Sequence, residues 1–480
     1  MSGADFQALA VHLTLGVAVV VLMLTVSFRR SHGVAAGVTL VALVAALAAI
    51  GVAAPVAPRT VTPLLVVDGF GLYFAALFLL ATLVLVLLSY RYLQDGQDDP
   101  EEYYLLVLAA TLGATTLAGA SHFASLLLGL EIMSIALYVL VAYPRAGHSP
   151  LEGALKYLVL SAAASTTILF GMALIYAATG TLDFSSLRVP ADAQPFLVAG
   201  LAMVLSGVAF KLSLVPFHMW TPDVYQGAPA PVAGYLGTVA KGAVFAVLLR
   251  YLVDTGALAD PTVLRVLTLL AVLSMLVGNL LALRQQHLKR VLAYSAIAHF
   301  GYLLIPLIAL GRVDPTLAVE ASLVYLGAYF AMTVGAFGVV TVLSGRQIDG
   351  DADALDAYQG LFWRRPALAV VFTVVLLSLA GIPLTVGFIG KFYLFAAGVS
   401  AANWLLLAAL VAGSGIGLYY YLRIVFTMTR SEAEGATGAA TPWLPGQWAL
   451  GAVGLVVLLF GVYPTPLIDT VRQLIGGWSG

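Results

Sequence analysis

Apolar segments of about twenty residues follow one another along nearly the whole chain. A helix needs about 20 predominantly apolar residues to cross the hydrocarbon core of a bilayer, so each segment is a candidate transmembrane helix. Only 9% of the residues are charged, against roughly 25% in soluble domains. The sequence therefore predicts an all-α polytopic membrane protein. The predicted spans, about fourteen, are approximately 6–28, 34–56, 69–91, 103–121, 123–143, 152–178, 195–227, 231–253, 263–284, 290–310, 318–344, 366–397, 402–428 and 447–468.

Several classes of site are excluded by residues that the sequence lacks. The 480 residues include no cysteine, which excludes disulfides, Cys-ligated zinc and iron–sulfur clusters. No Gly-rich phosphate loop or HExxH motif lies in a suitable context. A net charge of −1 offers no basic surface to a nucleic acid. We therefore expect no metal, no cofactor and no nucleic-acid partner. The N-terminus lacks a basic region and a cleavage site, and is interpreted as the first span.

Basic residues of the predicted loops are divided unequally between the two sides of the membrane. The larger group comprises Arg29, Arg30, Arg91, Arg145, Arg284, Lys289, Arg290, Arg346, Arg364, Arg365 and Arg430. The smaller group comprises Arg59, Arg188, Arg250, Arg265, Arg312 and Arg472. Because cytoplasmic loops carry an excess of Lys and Arg, the first side is predicted to be cytoplasmic. Both termini are then predicted to lie outside.

Lysines, and not arginines, occupy the interior of the predicted spans. Lys211, Lys241 and Lys391 lie deep in spans, and Lys156 lies about two turns into another. Glu131 is the only central carboxylate, while sixteen of the seventeen arginines lie in loops or at span ends. A charge at the centre of a membrane helix costs about 2.5–3.5 kcal/mol, so such residues normally mark ion pathways. Lysine changes charge readily when desolvated, whereas arginine stays protonated. The presence of lysines at these depths therefore favours a proton pathway.

Structural explanations compete with this interpretation. The buried charges are also compatible with static pairing between helices, and Lys156 is equally compatible with snorkelling to the cytoplasmic interface. Lys289 is expected to cap a loop. Asp68 and Glu320 begin spans, where we expect them to reach water or a helix N-terminus.

Prolines interrupt two of the spans close to buried lysines. Pro216 and Pro222 follow Lys211 in the seventh span, and Pro383 precedes Lys391 in the twelfth. Proline leaves a backbone carbonyl without its helical partner, and at membrane depth such backbone is tolerated where it is buried in protein or lines a wet cavity. Paired broken helices indicate a transport path between repeats. A kink that serves packing alone is the alternative.

The two halves of the chain correspond when one is displaced by 180 residues. The displacement places Lys211 on Lys391 and the eighth span on the thirteenth. We infer two inverted five-helix repeats, spans 4–8 and 9–13, with broken helices 7 and 12. The predicted segments are an N-terminal three-helix segment, a first repeat, a second repeat, and a C-terminal loop with the last helix, at 1–102, 103–254, 255–429 and 430–480.

Two histidines near the lysines are candidate proton relays. The reference pKa of histidine is close to neutral, so His218 and His299 suit transfer between the lysines and the cytoplasm. Lys156 is a third candidate relay. His287 in RQQHLKR is equally compatible with being an ordinary loop residue.

One family combines all these features. The stretch FKLSLVPFHMWTPDVYQGAPAPV at 210–232, with Glu131, Lys241 and GIPLTVGFIGKFYLF at 381–395, resembles the antiporter-like subunits of bacterial respiratory complex I, and specifically the subunit N family. The resemblance covers essentially the whole chain. It implies that Glu131 and Lys211 form a modulating ion pair. It also implies that Lys241 is the central relay and that Lys391 faces an external half-channel.

The resemblance further implies a function and a setting. The chain is expected to be a proton-translocating membrane subunit of a bacterial inner-membrane NADH–quinone oxidoreductase, without a flavin, iron–sulfur cluster or quinone of its own. Its expected partners are the lipid bilayer, the neighbouring antiporter-like subunit M, the small membrane subunits and other membrane subunits of complex I. Three alternatives remain open: a subunit of a related antiporter or membrane-bound hydrogenase complex, a purely structural subunit, and a stand-alone solute carrier.

Overall fold

Helices form nearly all the regular structure of this chain. The computed structural model describes residues 1–94, 99–143, 148–187, 194–312, 315–344, 351–431 and 444–475. Within these ranges, twelve helices are long and apolar enough to cross a membrane, judged by length and composition. The prediction of an all-α polytopic membrane protein is confirmed.

The N-terminal segment consists of helices joined by one small hairpin. The helices are α1 (Gly3–Ala8), α2 (Ala10–Phe28), α3 (His32–Ala53) and α4 (Gly69–Gln94). Between α3 and α4, the antiparallel strands are β1 (Arg59–Thr62) and β2 (Leu65–Val67). We call the end of the bundle that carries these strands the hairpin end.

The first repeat contains a helix broken at membrane depth. Its helices are α5 (Glu101–Ala118), α6 (Phe123–Val141), α7 (His148–Thr179), α8 (Gln194–Leu212), α9 (Trp220–Gly227), α10 (Ala230–Tyr235) and α11 (Lys241–Asp254). A π-helical turn joins α10 to α11 at Leu236–Ala240.

The second repeat has the same plan, and two helices follow it. Its helices are α12 (Pro261–Ala282), α13 (Leu288–Leu310), α14 (Pro315–Ser344), α15 (Leu361–Arg364), α16 (Pro366–Ala380), α17 (Val386–Ser400) and α18 (Trp404–Thr429). The C-terminal helices are α19 (Leu444–Val462) and α20 (Thr465–Ile475).

Helix neighbours in the first repeat recur in the second. Helix α5 packs on α6 as α12 packs on α13, and α6 packs on α7 as α13 packs on α14. Helix α7 contacts both parts of the broken helix, α8 and α9, as α14 contacts α16 and α17. Helix α11 returns to α5 as α18 returns to α12. Because each repeat crosses the membrane five times, an odd number, the second repeat starts on the opposite side and is inverted.

Two of the predicted spans do not correspond to any of the twelve helices that are long and apolar enough to cross a membrane. The predicted span 103–121 corresponds to α5, and the predicted span 366–397 corresponds to the two short apolar helices α16 and α17. The last predicted span, 447–468, extends too far, because α19 ends at Val462. Pro464 cannot continue that helix. The amphipathic α20 follows, and sequence analysis did not predict it as a separate helix.

The centre of the bundle is formed by helices from both repeats. The apolar stretch of Ala230–Asp254 is completely buried within the protein, and that of α13 is 94% buried, whereas that of α2 is only 22% buried. Charged side chains on the central helices are therefore shielded from lipid by neighbouring helices, and they must be satisfied by polar groups or water inside the bundle.

Four charged residues at predicted loops or span ends are buried, and Asp68 reaches the N-terminus of α4 as expected, where it accepts a hydrogen bond from the Gly71 amide. Asp68, Arg250, Lys289 and Glu320 have exposed fractions of 2–4%. The reason is pairing with an opposite charge from a distant segment. The three pairs are Arg250–Asp68, Lys289–Asp351 and Arg472–Glu320. Three residues of the predicted charge bias, Arg145, Arg188 and Arg346, lie outside the described residues.

Candidate proton-transfer axis

Lys211 lies at the C-terminal end of α8, directly before the first break. Its side chain is buried, and Nζ donates hydrogen bonds to Ser134 Oγ at 3.0 Å and Ser161 Oγ at 2.6 Å. The hydroxyl of Tyr138 donates to the same Ser161 oxygen at 2.7 Å. Hydroxyls from α6 and α7 therefore hold the amine, and a hydroxyl can both accept and donate a proton.

The predicted Glu131–Lys211 ion pair is not closed in this structure. Ser134, one turn after Glu131 on α6, is the partner of the lysine, and the ion pairs found between described residues do not include these two side chains. Glu131 Oε1 is buried and makes no hydrogen bond within the described part of the chain. Residues three apart lie on the same helix face, so the carboxylate remains beside the lysine site without touching it. Its modulating role stays a prediction.

The first break runs through residues 213–219, and its backbone is satisfied by side chains. Phe210 O accepts a hydrogen bond from Trp220 Nε1 at 3.0 Å. The amide of Val215 donates to Ser274 Oγ at 2.9 Å, which connects the break to the second repeat. The chain is therefore unwound beside Lys211, as predicted, without leaving these groups unpaired in the membrane.

Only one of the two prolines in this span interrupts it. Pro216 lies within the break, whereas Pro222 lies in the first turn of α9. A proline in a first turn sacrifices no helical hydrogen bond, because the amides there have no partner in the helix. The expectation that Pro222 also breaks the span was wrong.

Lys241 begins α11 at the centre of the bundle. Its side chain is 2% exposed, and Nζ has no hydrogen-bond partner in the part of the chain that the structure describes. The amine lies 5.7 Å from the ring centre of Tyr225 and 5.3 Å from that of Phe300. Aromatic faces attract an ammonium group but accept no ordinary hydrogen bond from it. Within the described residues, no hydrogen bond or opposite charge therefore holds this amine.

The π-helical turn directly before Lys241 places that lysine. Such turns insert a residue into a helix and are frequent at functional sites. Tyr329 on α14 donates a hydrogen bond to Gly237 O within this turn at 3.0 Å. The second repeat thus supports the backbone that carries the central lysine of the first.

His299 lies in a polar cluster of the second repeat, as its mid-span position predicts. Nδ1 is 2.7 Å from the hydroxyl of Tyr325, and Nε2 is 3.4 Å from that of Tyr421. The hydroxyl of Tyr421 also bonds to Ser295 Oγ. Both imidazole nitrogens therefore have hydroxyl neighbours, and neutral imidazole can accept a proton on one nitrogen while it releases one from the other.

A series of aromatic side chains in contact with one another extends from Lys241 to Lys391. The series starts at Phe300, whose ring lies beside the Lys241 amine, and ends at Tyr302, whose ring lies beside the Lys391 amine. Successive ring-centre distances are 5.5 Å for Phe300–Tyr329, 5.3 Å for Tyr329–His299 and 5.5 Å for His299–Tyr302. His299 is the titratable imidazole between the two lysines, which is where a relay would be needed.

Lys391 lies in α17, just after the second break at residues 381–385, which contains Pro383 as predicted. Nζ donates to Ala380 O at 2.8 Å and lies 5.6 Å from the ring centre of Tyr302. Gly381 makes this contact possible, because a Cβ there would lie 2.7 Å from Lys391 Cδ and 3.2 Å from Nζ. The carbonyl released at the break thus accepts a hydrogen bond from the lysine.

The other two candidate relays differ in location. His218 lies in the first break and is half-buried, and its Nδ1 has no hydrogen-bond partner among the described residues. Lys156 instead forms ion pairs with Glu152 and Asp223, both at 2.7 Å, and its side chain is 40% exposed. Asp223 also binds Arg290 at 2.7 Å. Lys156 therefore belongs to a charged cluster at the end of the bundle opposite the hairpin.

Comparison with known proteins agrees with this arrangement. The sequence profile of the family described as NADH:quinone oxidoreductase/Mrp antiporter, TM, matches residues 120–417. A protein of Chromohalobacter salexigens named NADH-quinone oxidoreductase subunit N is 49% identical over 465 residues, 95% of this chain and 96% of that protein. One of the same name from Methylococcus capsulatus is 48% identical over 477 residues, 99% of this chain and 96% of that protein.

The chain belongs to the subunit N family of NADH-quinone oxidoreductases. A solved structure of respiratory complex I from Thermus thermophilus with bound aureothin contains a chain with the same fold. That chain is 35% identical, with a TM-score of 0.82 over 96% of this chain and 98% of that one. The antiporter-like fold expected for subunit N is confirmed, while the roles of individual residues along the axis stay predictions.

Sequence analysis missed the hydroxyl and amide groups around the lysines of this subunit N family member. Asn279 Nδ2 donates to Tyr302 at 2.8 Å, and Tyr420 donates to Asn279 Oδ1 at 3.0 Å. Two features of the sequence could have pointed to these polar groups. Ser134 is three residues from Glu131, and the displacement of 180 residues places Lys241 on Tyr421. The second repeat thus has a tyrosine at the position where the first has its central lysine.

Proposed function

We propose that this chain moves protons across a bilayer as a membrane subunit of a respiratory NADH–quinone oxidoreductase. The path is the axis of Glu131, Lys211, Lys241 and Lys391, with His299 between the last two. Redox chemistry in partner subunits drives it, and this chain contributes no flavin, iron–sulfur cluster or quinone. Relatives named as subunit N of this enzyme support the assignment to the complex.

The observation that carries the proposal is the site of Lys241. Its amine is buried at the centre of the bundle, without an opposite charge or a hydrogen-bond acceptor in the described chain. A lysine kept for static pairing would have a carboxylate partner, as Lys289 has in Asp351. An unpaired buried charge is costly, so Lys241 suits a group that changes its charge in each cycle.

We infer that the setting is a bacterial inner membrane, with the hairpin end outside and subunit M and the small membrane subunits as neighbours. The charge bias of the loops supports this orientation. Large apolar side chains exposed on α2 and α7, such as Val17 and Phe170, supply surface for lipid or for neighbouring subunits.

The test of the proposed function is Lys241→Ala, with proton pumping measured per NADH oxidised in inverted membrane vesicles. We expect pumping to fall while the complex still assembles, because this amine makes no hydrogen bond with any residue that the structure describes. Arg265→Ala, at an exposed position, is the control and should leave the ratio unchanged. An unchanged ratio in an assembled Lys241→Ala complex would reduce the axis to a structural role.

A further inference from the structure

A buried ion pair joins two helices at the hairpin end of the first repeat. Asp68, just before α4, and Arg250, in the last turns of α11, have side chains only 5% and 3% exposed. Arg250 Nη1 donates to Asp68 Oδ2 at 2.8 Å, and Nη2 donates to Oδ1 at 2.9 Å. This bidentate geometry is the strongest that an arginine and a carboxylate form.

The surroundings of the pair occupy its remaining hydrogen-bonding groups. Arg250 Nε and Nη2 donate to Ala118 O at 3.3 and 3.2 Å, and the guanidinium lies 4.9 Å from the ring centre of Phe70. The amide of Gly71 donates to Asp68 Oδ1 at 2.7 Å. Both carboxylate oxygens thus accept hydrogen bonds, and a guanidinium does not lose its proton in proteins. Neither partner can relay a proton in this arrangement.

The helix between the pair and the central lysine is apolar. Residues 242–249 of α11 are glycine, alanine, valine, phenylalanine and leucine, and all are buried. Lys241 and Arg250 are separated by nine residues, a rise of about 13 Å. Asp254, one turn beyond Arg250, is the next carboxylate along α11. Along α11, the first ionisable groups beyond Lys241 are therefore held in a form that does not exchange protons.

We propose that the Asp68–Arg250 pair is the outer seal of the first repeat. It prevents protons on Lys241 from leaking outward along α11, so that they pass on toward Lys391. Proton conduction needs groups that bind and release protons in turn, and a guanidinium closed on a carboxylate whose oxygens already accept hydrogen bonds is not such a group. The inference rests on the proposed function, since a seal is needed only if Lys241 carries protons.

The distinguishing variants alter the pair in opposite ways. Arg250→Lys keeps a positive charge beside Asp68 but introduces an amine that can release its proton. Asp68→Asn also breaks the bidentate contact, yet it leaves the guanidinium in place. The readout is the decay of an imposed pH gradient across resting vesicles that contain the assembled complex, without NADH. We expect a several-fold faster decay for Arg250→Lys and the unaltered rate for Asp68→Asn.

Two results would overturn the inference. Equal leakage from both variants would mean that the pair serves packing, and tight vesicles with assembled Arg250→Lys would mean that no seal lies here. If Arg250→Lys fails to assemble, Arg250→Gln is compared with the double variant Asp68→Asn/Arg250→Gln, which contains no unpaired buried charge. Only Arg250→Gln, which leaves the Asp68 carboxylate unpaired, is then expected to leak. Equal leakage from Arg250→Gln and the double variant would again refute the seal.

A combined variant separates this inference from the proposed function. Adding Lys241→Ala to Arg250→Lys should return the leak to the unaltered rate, because the path through the axis is interrupted. A leak that persists would show that the pair does not seal the axis. The pumping test with Lys241→Ala alone is decided independently, because the leak is measured without turnover.

Discussion

Gly381 offers a way to displace Lys391 without removing its charge. This glycine ends α16 with a φ of +85°, and a methyl group there would lie 2.7 Å from Lys391 Cδ. Gly381→Ala therefore introduces two separate effects, backbone strain and a collision with the lysine. Gly256, with a φ of +64° and nothing within 4 Å of its added Cβ, supplies the matched control because Gly256→Ala introduces the strain alone.

The two effects have different sizes and consequences. Left-handed backbone costs an alanine about 1–2 kcal/mol, so both variants should lower the free energy of unfolding by about this amount. The collision is relieved when the flexible lysine moves, but its amine then loses the 2.8 Å hydrogen bond to Ala380 O. A hydrogen bond from a charged group contributes about 1.5–3 kcal/mol. Its loss would lower the population of correctly placed amine by about 10- to 150-fold.

The measurement is NADH-driven acidification of inverted vesicles, normalised to NADH oxidation and to the amount of assembled complex. We expect Gly381→Ala to lose most of its pumping and Gly256→Ala to retain it, while thermal inactivation shifts in both complexes and further in Gly381→Ala, which also loses the hydrogen bond to Ala380 O. Full pumping by assembled Gly381→Ala would refute the importance of the Lys391–Ala380 contact. Equal loss in both variants would assign the effect to strain in the turns.

Two further predictions concern Lys211 and the orientation of the chain. Ser161→Ala removes a hydrogen-bond acceptor from Lys211, so it should lower pumping and cost about 1–3 kcal/mol of stability. The control is Ser165→Ala, which removes a buried hydroxyl without a hydrogen-bond partner within the described residues and should change neither. Equal effects of the two variants on pumping would contradict the role of Ser161. Because the chain lacks cysteine, Leu64→Cys at the hairpin and Trp363→Cys at the opposite end can be labelled singly in intact cells with a membrane-impermeant maleimide. Only Leu64→Cys should react, and labelling of Trp363→Cys alone would invert the proposed orientation.

The sequence predicted features that follow from the bilayer itself. Apolar length locates the spans, and prolines near Lys211 and Lys391 mark the two breaks, because hydrocarbon tolerates neither polar side chains nor unpaired backbone without compensation. The predicted boundaries after residues 254 and 429 coincide with the last residues of α11 and α18. The boundary after residue 102 falls inside the first turn of α5. The division into functional segments stays a prediction.

Long-range pairing was beyond the reach of a single sequence. Arg250 was placed among residues of loops and span ends, because no residue near it in the sequence indicates that it pairs with Asp68, 182 residues away. The same limit applies to Lys289 in α13, whose partner Asp351 comes only after the next helix, α14. Depth along a helix can be counted from a sequence, but the face that meets a partner depends on how distant helices are packed.

The tyrosine cluster was missed for a different reason. Tyrosine is acceptable in the membrane as an apolar ring, so Tyr325 and Tyr421 do not stand out by hydropathy as a buried lysine does. Their importance appears only when both hydroxyls are found at His299. A search for polar residues at positions related by the internal repeat would have selected Tyr421.

The buried contact of Lys289 limits how the two repeats can move against each other. Its amine, at the start of α13, binds Asp351 at 2.6 Å and also Ala228 O, between α9 and α10, at 2.9 Å. The lysine thus fastens the second repeat to the first at the end opposite the hairpin. Rocking one repeat over the other in every cycle would break the buried hydrogen bond from Lys289 to Ala228 O, at a cost of about 1.5–3 kcal/mol. Access to the axis is therefore expected to alternate through side-chain reorientation and changes in internal hydration within a rigid frame.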